Sequence, residues 1–342
     1  MKIWEGYQKG INLGGWFSQC DHTEERYDRF VRAEDFARIR AWGADHVRIP
    51  VDYELLEDAQ GEPREHGYVR LHEAVRLCRE NGLHVVLDLH KTAGFSFDAN
   101  EGESGFFDSR RYQERFYRLW ERIAEHFAKD ADLVAFELLN EVTKASYMEE
   151  WKRISLECVR RIRAIAPETW ILLGGYDHNS AKAVKDLPAP PDERIIYNFH
   201  CYEPLIFTHQ GAPWIETMDP EFRIRVDANY GELAAQTERL LGGSAAGLSD
   251  YPAGERLSEE FFERFLAEAV RTAEERGVRL YCGEYGVIDR ADPEDALVWF
   301  EMIHRVFRRY GIGHAAWSYR EMDFGLADAR MDAVRERLLA AM

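Results

Sequence analysis

Two glutamates stand where apolar runs stop. The stretch Val134-Ala-Phe-Glu-Leu-Leu-Asn-Glu-Val142 opens as a run short enough for a buried strand and ends on Asn140 and Glu141. Leu280-Tyr-Cys-Gly-Glu-Tyr-Gly286 in the same way carries Glu284 to the end of an apolar run. A buried strand that finishes on a carboxamide and a carboxylate presents them at a sheet edge, within reach of a ligand. Two strand-end carboxylates far apart in the chain suit work on one bond, one protonated as acid and the other ionised, which is the requirement of glycosidic cleavage.

Other polar or aromatic residues end apolar runs in the same manner: Asn12, Arg48, Asp88 with His90, His200 with Tyr202, and Trp317. Each has a bland reading. Arg48 could pair with a buried carboxylate, Asp88-x-His90 could be a structural hydrogen bond, and Trp317 could be core. Together, one per strand end, they read as a site. Arg48 and Tyr202 are expected to orient Glu284 and keep it ionised as nucleophile. Glu141, the expected acid/base, requires a pKa raised enough to hold its proton near neutrality, with His200 as its neighbour. Asn140 is expected to hold a sugar 2-hydroxyl, and Trp317 to form the floor beneath the sugar being cleaved.

The elements that must position these residues repeat a pattern: an amphipathic helix, a Gly stop, then a short β-rich run. Helical periodicity over 32–42 stops at Gly43 and leads into 46–49; 70–81 stops at Gly82 and leads into 85–90. The stretch 259–276 stops at Gly277 before 280–284, and 293–310 stops at Gly311 before 315–318. Strands are also expected at 10–13, 134–142, 170–174 and 195–200, and helices at 113–128 and 146–165. Eight β/α units predict a single-domain (β/α)8 barrel over residues 1–342, in which chemistry gathers at the C-terminal strand ends. Gly10 to Gly15 lacks the spacing of a dinucleotide fingerprint. The connections 98–110, 186–193 and 203–258 are long. The last, after the sixth strand, carries Phe207, Trp214, Tyr230 and Tyr251 and a helical stretch over 230–241. It reads as a lid or sugar platform, or as an excursion packed for stability.

Of the 342 residues, 62 are acidic and 44 basic, a formal charge of −18 that argues against a nucleic-acid partner and fits a neutral substrate. Arg118, Arg122, Arg160, Arg161 and Arg163 are spread along helices as a solvated face. Nine Trp and sixteen Tyr suit flat, hydroxyl-rich ligands as well as ordinary packing. Nothing approaches the ~18 apolar residues of a membrane span. The five cysteines, Cys20, Cys78, Cys158, Cys201 and Cys282, lack metal-ligand spacing and read as small thiols in a reducing compartment. The N-terminus has no apolar leader segment, so the expected location is the cytoplasm, or outside the cell if a leader has been removed. Oligomeric state is not readable.

Gly10-Ile-Asn-Leu-Gly-Gly-Trp16, Val47-Arg-Ile-Pro50, Leu87-Asp-Leu-His90, Phe136-Glu-Leu-Leu-Asn-Glu141, Asn198-Phe-His-Cys-Tyr202, Gly283-Glu-Tyr-Gly286 and Ala316-Trp-Ser318 together resemble glycoside hydrolase family five, the cellulase-A family of clan A. The resemblance runs end to end, in order. It implies a retaining double displacement with Glu141 as acid/base and Glu284 as nucleophile, their carboxyl groups about 5–5.5 Å apart. It also implies site positions at Arg48, His90, Asn140, His200, Tyr202 and Trp317, with no metal or cofactor. Asn12, Trp16, Lys91 and Trp214 are added as substrate-binding or supporting residues. Many family endoglucanases carry a second His directly after the strand-three His, where this chain has Lys91. Trp16, Phe17 and the long sixth loop resemble the bacterial β-glucan-cleaving members, so the expected substrate is a β-linked glucan or gluco-oligosaccharide. A β-mannanase, an exo-β-glucosidase or β-1,3-glucanase, and a transglycosylase are alternatives within the family. A metal-dependent hydrolase using Asp88, His90, His200 and Glu284 would leave Asn140-Glu141 without a purpose. A non-catalytic carbohydrate-binding barrel would not need both carboxylates.

Overall fold

A computed structural model describes residues 1–242 and 247–342. Eight parallel strands close into a barrel in chain order: β1 Gly10–Asn12, β2 His46–Asp52, β3 His84–Lys91, β4 Val134–Glu137, β5 Ile171–Gly174, β6 Ile195–Cys201, β7 Arg279–Tyr285 and β8 Gly313–Ala316. Pairing of Gly10 with Ala315 joins the last strand to the first. The expected (β/α)8 architecture is what forms. The four Gly stops take left-handed backbone, φ 64° to 84°, as a helix-ending cap requires. β4 is shorter than its apolar run suggests. It ends at Glu137, so Asn140 and Glu141 lie on the connection beyond it. Helical turns begin earlier than the periodicity marks in two places, at Glu65 and Arg110.

Alternation along the strands sorts side chains into layers. At the base, Val86, Ala135, Leu172, Ile196, Tyr281 and Ala315 pack on Trp4 and Tyr7, which stack 3.8 Å apart and seal that end. Two positions higher on β3, β4 and β6 the interior turns polar: Asp88, Glu137 and Asn198, joined by Arg48 of β2 and Asn12 of β1, are all fully buried. The strand ends then open onto the cleft.

Three helices reach over to fix those ends. Buried indoles donate to main-chain carbonyls at or just past strand termini: Trp120 to Leu138 at 3.0 Å, Trp151 to Gly174 at 2.9 Å and Trp299 to Glu203 at 3.0 Å. Each ring supplies apolar area to the helix–sheet interface, and its single N–H satisfies a carbonyl that the barrel ladder leaves free.

The long sixth connection is mostly packed excursion. Its helix spans Tyr230–Leu241, as the periodicity predicts. Tyr230 stacks on Tyr251 at 4.3 Å and both approach Phe261, while Phe207 is fully buried. Trp214, unlike Phe207, Tyr230 and Tyr251, stands out at the rim, 49% exposed. Cys78, Cys158, Cys201 and Cys282 are buried, Cys20 is partly so, and all five are free. Among the described residues no helix is long and apolar enough to cross a membrane.

Candidate active site

Two irregularities in the ladder aim the site. Between β2 and β3, Val51 pairs with Leu89 and Asp52 with Lys91, so His90 is an extra residue on β3. Between β6 and β7, Phe199 pairs with Cys282 and His200 with Glu284, leaving Gly283 extra. Each bulge turns a side chain at the strand end away from strict alternation. Gly283 must be glycine, since a Cβ there would lie 2.7 Å from Asn198 Oδ1.

Arg48 is the hub of the floor. Its guanidinium donates to Glu137 at 2.7 and 2.8 Å, to Glu284 Oε1 at 2.7 Å, to Asn12 Oδ1 at 3.0 Å and to Asn140 Oδ1 at 2.9 Å, and lies 3.0 Å from Asp88 Oδ2. Burial by itself lowers the Arg48 pKa, but Asp88, Glu137 and Glu284 outweigh it and hold the cation charged. Burial raises the Glu137 pKa against the pull of Arg48. Asn198 Nδ2 completes the Glu137 shell at 2.8 Å.

Glu284 takes a second hydrogen bond from the Tyr202 hydroxyl at 3.0 Å. Burial and then the Glu284 charge push the Tyr202 phenol well above its ordinary pKa, so it stays a donor. His90 Nδ1 meets Asp88 at 2.6 Å, and Asp88 with Glu284 raises the His90 pKa against the opposing effect of burial. Asn140 Nδ2 lies 3.4 Å from His90 Nε2. The Trp317 ring, 6% exposed, is parallel to His90 at 5.9 Å between centroids. Phe97 meets the His90 ring edge-on at 5.1 Å.

Glu141 itself has left-handed backbone, φ 40°. Its Oε1 accepts from His200 Nδ1 at 2.7 Å and its Oε2 from His178 Nδ1 at 3.0 Å. His200 Nδ1 also stands 3.7 Å from Glu284 Oε2, between the two glutamates. One carboxylate oxygen of Glu141 and one of Glu284 lie within 4.8 Å of each other. That separation belongs with the close spacing of a retaining pair rather than the roughly 6.5–9.5 Å of an inverting one.

The raised Glu141 pKa expected from the sequence is not what this geometry produces. Burial pushes it up, but the hydrogen bonds from His178 and His200 prevail and hold the carboxyl well below the usual range. The cause is convergence of two imidazoles, one from the β5 connection and one from β6, which spacing does not reveal.

The structure thus brings Arg48, His90, Asn140, Glu141, His200, Tyr202, Glu284 and Trp317 to one cleft. Asn12 supports Arg48 from below, and its amide also donates to the Gly283 and Ala315 carbonyls, so no donor is free for a ligand. Trp16 does not reach the cleft. It is stacked on Phe17 at 3.8 Å, 5% exposed, and its indole donates to the Tyr27 carbonyl. An aromatic following the β1 strand reads as a platform in sequence, but the first connection folds it into the core. Lys91 clamps neighbouring connections, 2.6 Å from Glu54, 3.3 Å from Glu101 and 4.0 Å from Asp52. Trp214 closes an aromatic chain, through His209 at 5.9 Å and Phe324 at 6.3 Å, back to Tyr202. Glu137, Asn179 and His178 were not singled out in sequence. Glu137 had a signal, a charged residue inside an apolar strand, whereas His178 and Asn179 sit in a polar connection that looks like any other.

Comparison with known proteins follows the same lines. A profile for Cellulase (glycosyl hydrolase family 5) matches residues 7–323. Cellodextrinase A of Ruminococcus flavefaciens is 49% identical over 307 residues, 90% of this chain and 84% of that protein. Endoglucanase C of Acetivibrio thermocellus is 34% identical over 337 residues, 97% of each. Endoglucanase Cel5A of the hyperthermophilic Thermotoga maritima superposes with a TM-score of 0.77 at 23% identity, over 98% of this chain and 97% of that one.

Proposed function

The chain belongs to glycosyl hydrolase family 5 and is a glycosidase of β-glucans, and on that premise we propose that it cleaves β-1,4-linked gluco-oligosaccharides and glucan chains internally. One domain carries the reaction, with Glu284 as nucleophile and Glu141 as acid/base. The observation that carries the reading is the pair itself: two carboxylates within 4.8 Å, one anchored by a buried Arg48 and a tyrosine, the other held between two histidines.

In this reading Glu284 attacks the anomeric carbon of the sugar lying on Trp317, while Glu141 gives a proton to the departing oxygen. The bond from carbon to leaving group breaks as the bond to the Glu284 carboxylate forms. Asn140 faces the sugar 2-hydroxyl through Nδ2, because its Oδ1 is already taken by Arg48. Water then attacks the anomeric carbon, its proton passing to Glu141 as the bond to the Glu284 carboxylate breaks and frees that carboxylate. Arg48 and Tyr202 hold the nucleophile's charge before and after each step without reorganising. Trp214 at the rim offers a stacking face for a more distant sugar. The relatives' names, cellodextrinase and endoglucanase, support a β-glucan as substrate, and five free thiols support a cytoplasmic setting.

The test is a product profile on cello-oligosaccharides, carboxymethyl cellulose, mixed-linkage β-glucan, laminarin and mannan, with Glu284→Gln as control. A ladder of β-1,4-gluco-oligosaccharides that the variant does not make is the expected result. Monosaccharide alone would make the enzyme exo-acting, and cleavage of mannan alone would overturn the substrate.

A further inference from the structure

The turn Asp177-His178-Asn179 follows β5, and all three residues take left-handed backbone, φ 48°, 55° and 53°. That conformation is uncommon outside glycine and costs roughly 1 kcal/mol or more per residue, so a run of three persists only where its surroundings enforce it. Here the His178 amide donates to the Val142 carbonyl at 3.1 Å, and Asp177 pairs with Lys182 at 2.8 Å. Asn179 fits only because Gly174 has no side chain, since a Cβ there would lie 2.3 Å from Asn179 Oδ1. The turn delivers His178 Nδ1 to Glu141 Oε2, the oxygen that His200 does not hold. The His178 side chain is 55% exposed at the cleft, whereas that of Glu141 is 10% exposed.

Building on the reading of Glu141 as acid/base, we infer that His178 and Glu141 share the proton that the reaction uses, kept on His178 Nδ1 in the empty cleft and passed to Glu141 Oε2 when the leaving-group sugar covers the imidazole. In that transfer the Nδ1–H bond breaks and an Oε2–H bond forms. The imidazolium becomes a neutral imidazole that retains its Nε2 proton, and the carboxylate becomes a carboxylic acid. No other reactant is involved.

Solvation drives the change. With His178 open to water the charged pair is favoured, and the hydrogen bond to Glu141 raises the His178 pKa against the opposing effect of burial. Asp177 and Glu284 add to that, while His200 holds the other Glu141 oxygen. His209, pushed down to about 4 by burial, is neutral in the working range. A sugar seated on His178 removes its water, and desolvation favours the neutral pair over two charges. The device reconciles two requirements: the hydrogen bonds from His178 and His200 favour an ionised Glu141, yet the first chemical step needs it protonated. In the second step the proton taken from water returns along the same path to His178.

The variant to measure is His178→Asn, because Asn tolerates left-handed backbone and does not titrate. The reading is kcat/KM against pH on cellotetraose and on 2,4-dinitrophenyl β-cellobioside, whose leaving group needs little protonation. The expected result is a loss of about 10–100-fold on cellotetraose, at least ~10-fold greater than on the aryl substrate. The alkaline limb on cellotetraose should also move to lower pH, because the proton then has only the Glu141 carboxyl to reside on. Equal losses on both substrates, no loss, or an unmoved limb would overturn the inference. So would recovery in His178→Gln, which restores a donor but carries no transferable proton. Glu141→Ala with azide tests the underlying assignment separately. If no β-glycosyl azide forms, Glu141 is not the acid/base, whatever His178 does.

Discussion

Glu284 and Glu141 are the same side chain in two opposite settings. Glu284 is met by a fully buried guanidinium and by a phenol that stays protonated, both fixed by the barrel floor. Glu141 is met by two imidazoles, one buried between the glutamates and one half-open to water on a left-handed turn. The first setting is permanent, because an arginine does not titrate in the working range and its three carboxylate partners hold it in place. The second is adjustable, because histidine changes charge near neutrality and one of the two can be covered by a ligand. On the proposed roles a nucleophile needs a constant charge and an acid/base one that changes, and the partners of Glu284 and Glu141 suit those two needs.

The comparison breaks most visibly at Glu284, the proposed nucleophile. Glu284→Gln is expected to lower kcat by ~10⁴-fold or more on every substrate, whatever the leaving group, and in Glu284→Ala, which leaves room for an anion, azide should restore turnover with an α-glycosyl azide product. Glu141→Ala should cost about 10²–10⁴-fold on cello-oligosaccharides but far less in kcat/KM on a dinitrophenyl glycoside. A dependence on leaving group at Glu284, or its absence at Glu141, would reverse the two roles. Tyr202→Phe sharpens the fixed side. It removes one of the two hydrogen bonds to Glu284, and a loss of about tenfold in kcat is expected, with no shift between substrate classes.

The smallest effect is on stability. The lowered Glu141 pKa contributes stability that is present above its unfolded value of about 4.3 and is lost as pH falls through the folded value. The raised His178 pKa contributes stability that is full below about 6.5 and is lost as pH rises through the folded value. Both contributions are whole only between those limits. The difference in Tm between the wild type and His178→Asn should therefore be greatest near pH 5–6 and shrink on either side, which calorimetry across pH measures. A difference independent of pH would mean that the exposed imidazole only packs.

Much of the fixed side was legible. Arg48, Glu284 and Tyr202 end apolar runs, and a charged or polar residue in that position has few explanations besides a site at the strand ends. Glu137 was legible in principle for the same reason, as a carboxylate inside Val134-Ala-Phe-Glu. The adjustable side was not. His178 lies in Gly175-Tyr-Asp-His-Asn-Ser180, a polar connection whose left-handed turn depends on Gly174 and on the Val142 carbonyl, and no local pattern encodes that. Trp16 failed the other way. An aromatic after the first strand suits a sugar platform, yet packing against Phe17 and Phe36 draws it inside.

The sequence by itself determined the barrel, through eight apolar runs spaced by capped amphipathic helices, and with it the set of residues at the strand ends, because periodicity and capping act over a few neighbouring positions. Only the tertiary structure decided which of those residues touch, how near the two carboxylates stand, and that Glu141 is flanked by two histidines. Those outcomes depend on bulges at His90 and Gly283 and on convergence of connections more than thirty residues apart, and electrostatics follows distance in space rather than distance along the chain.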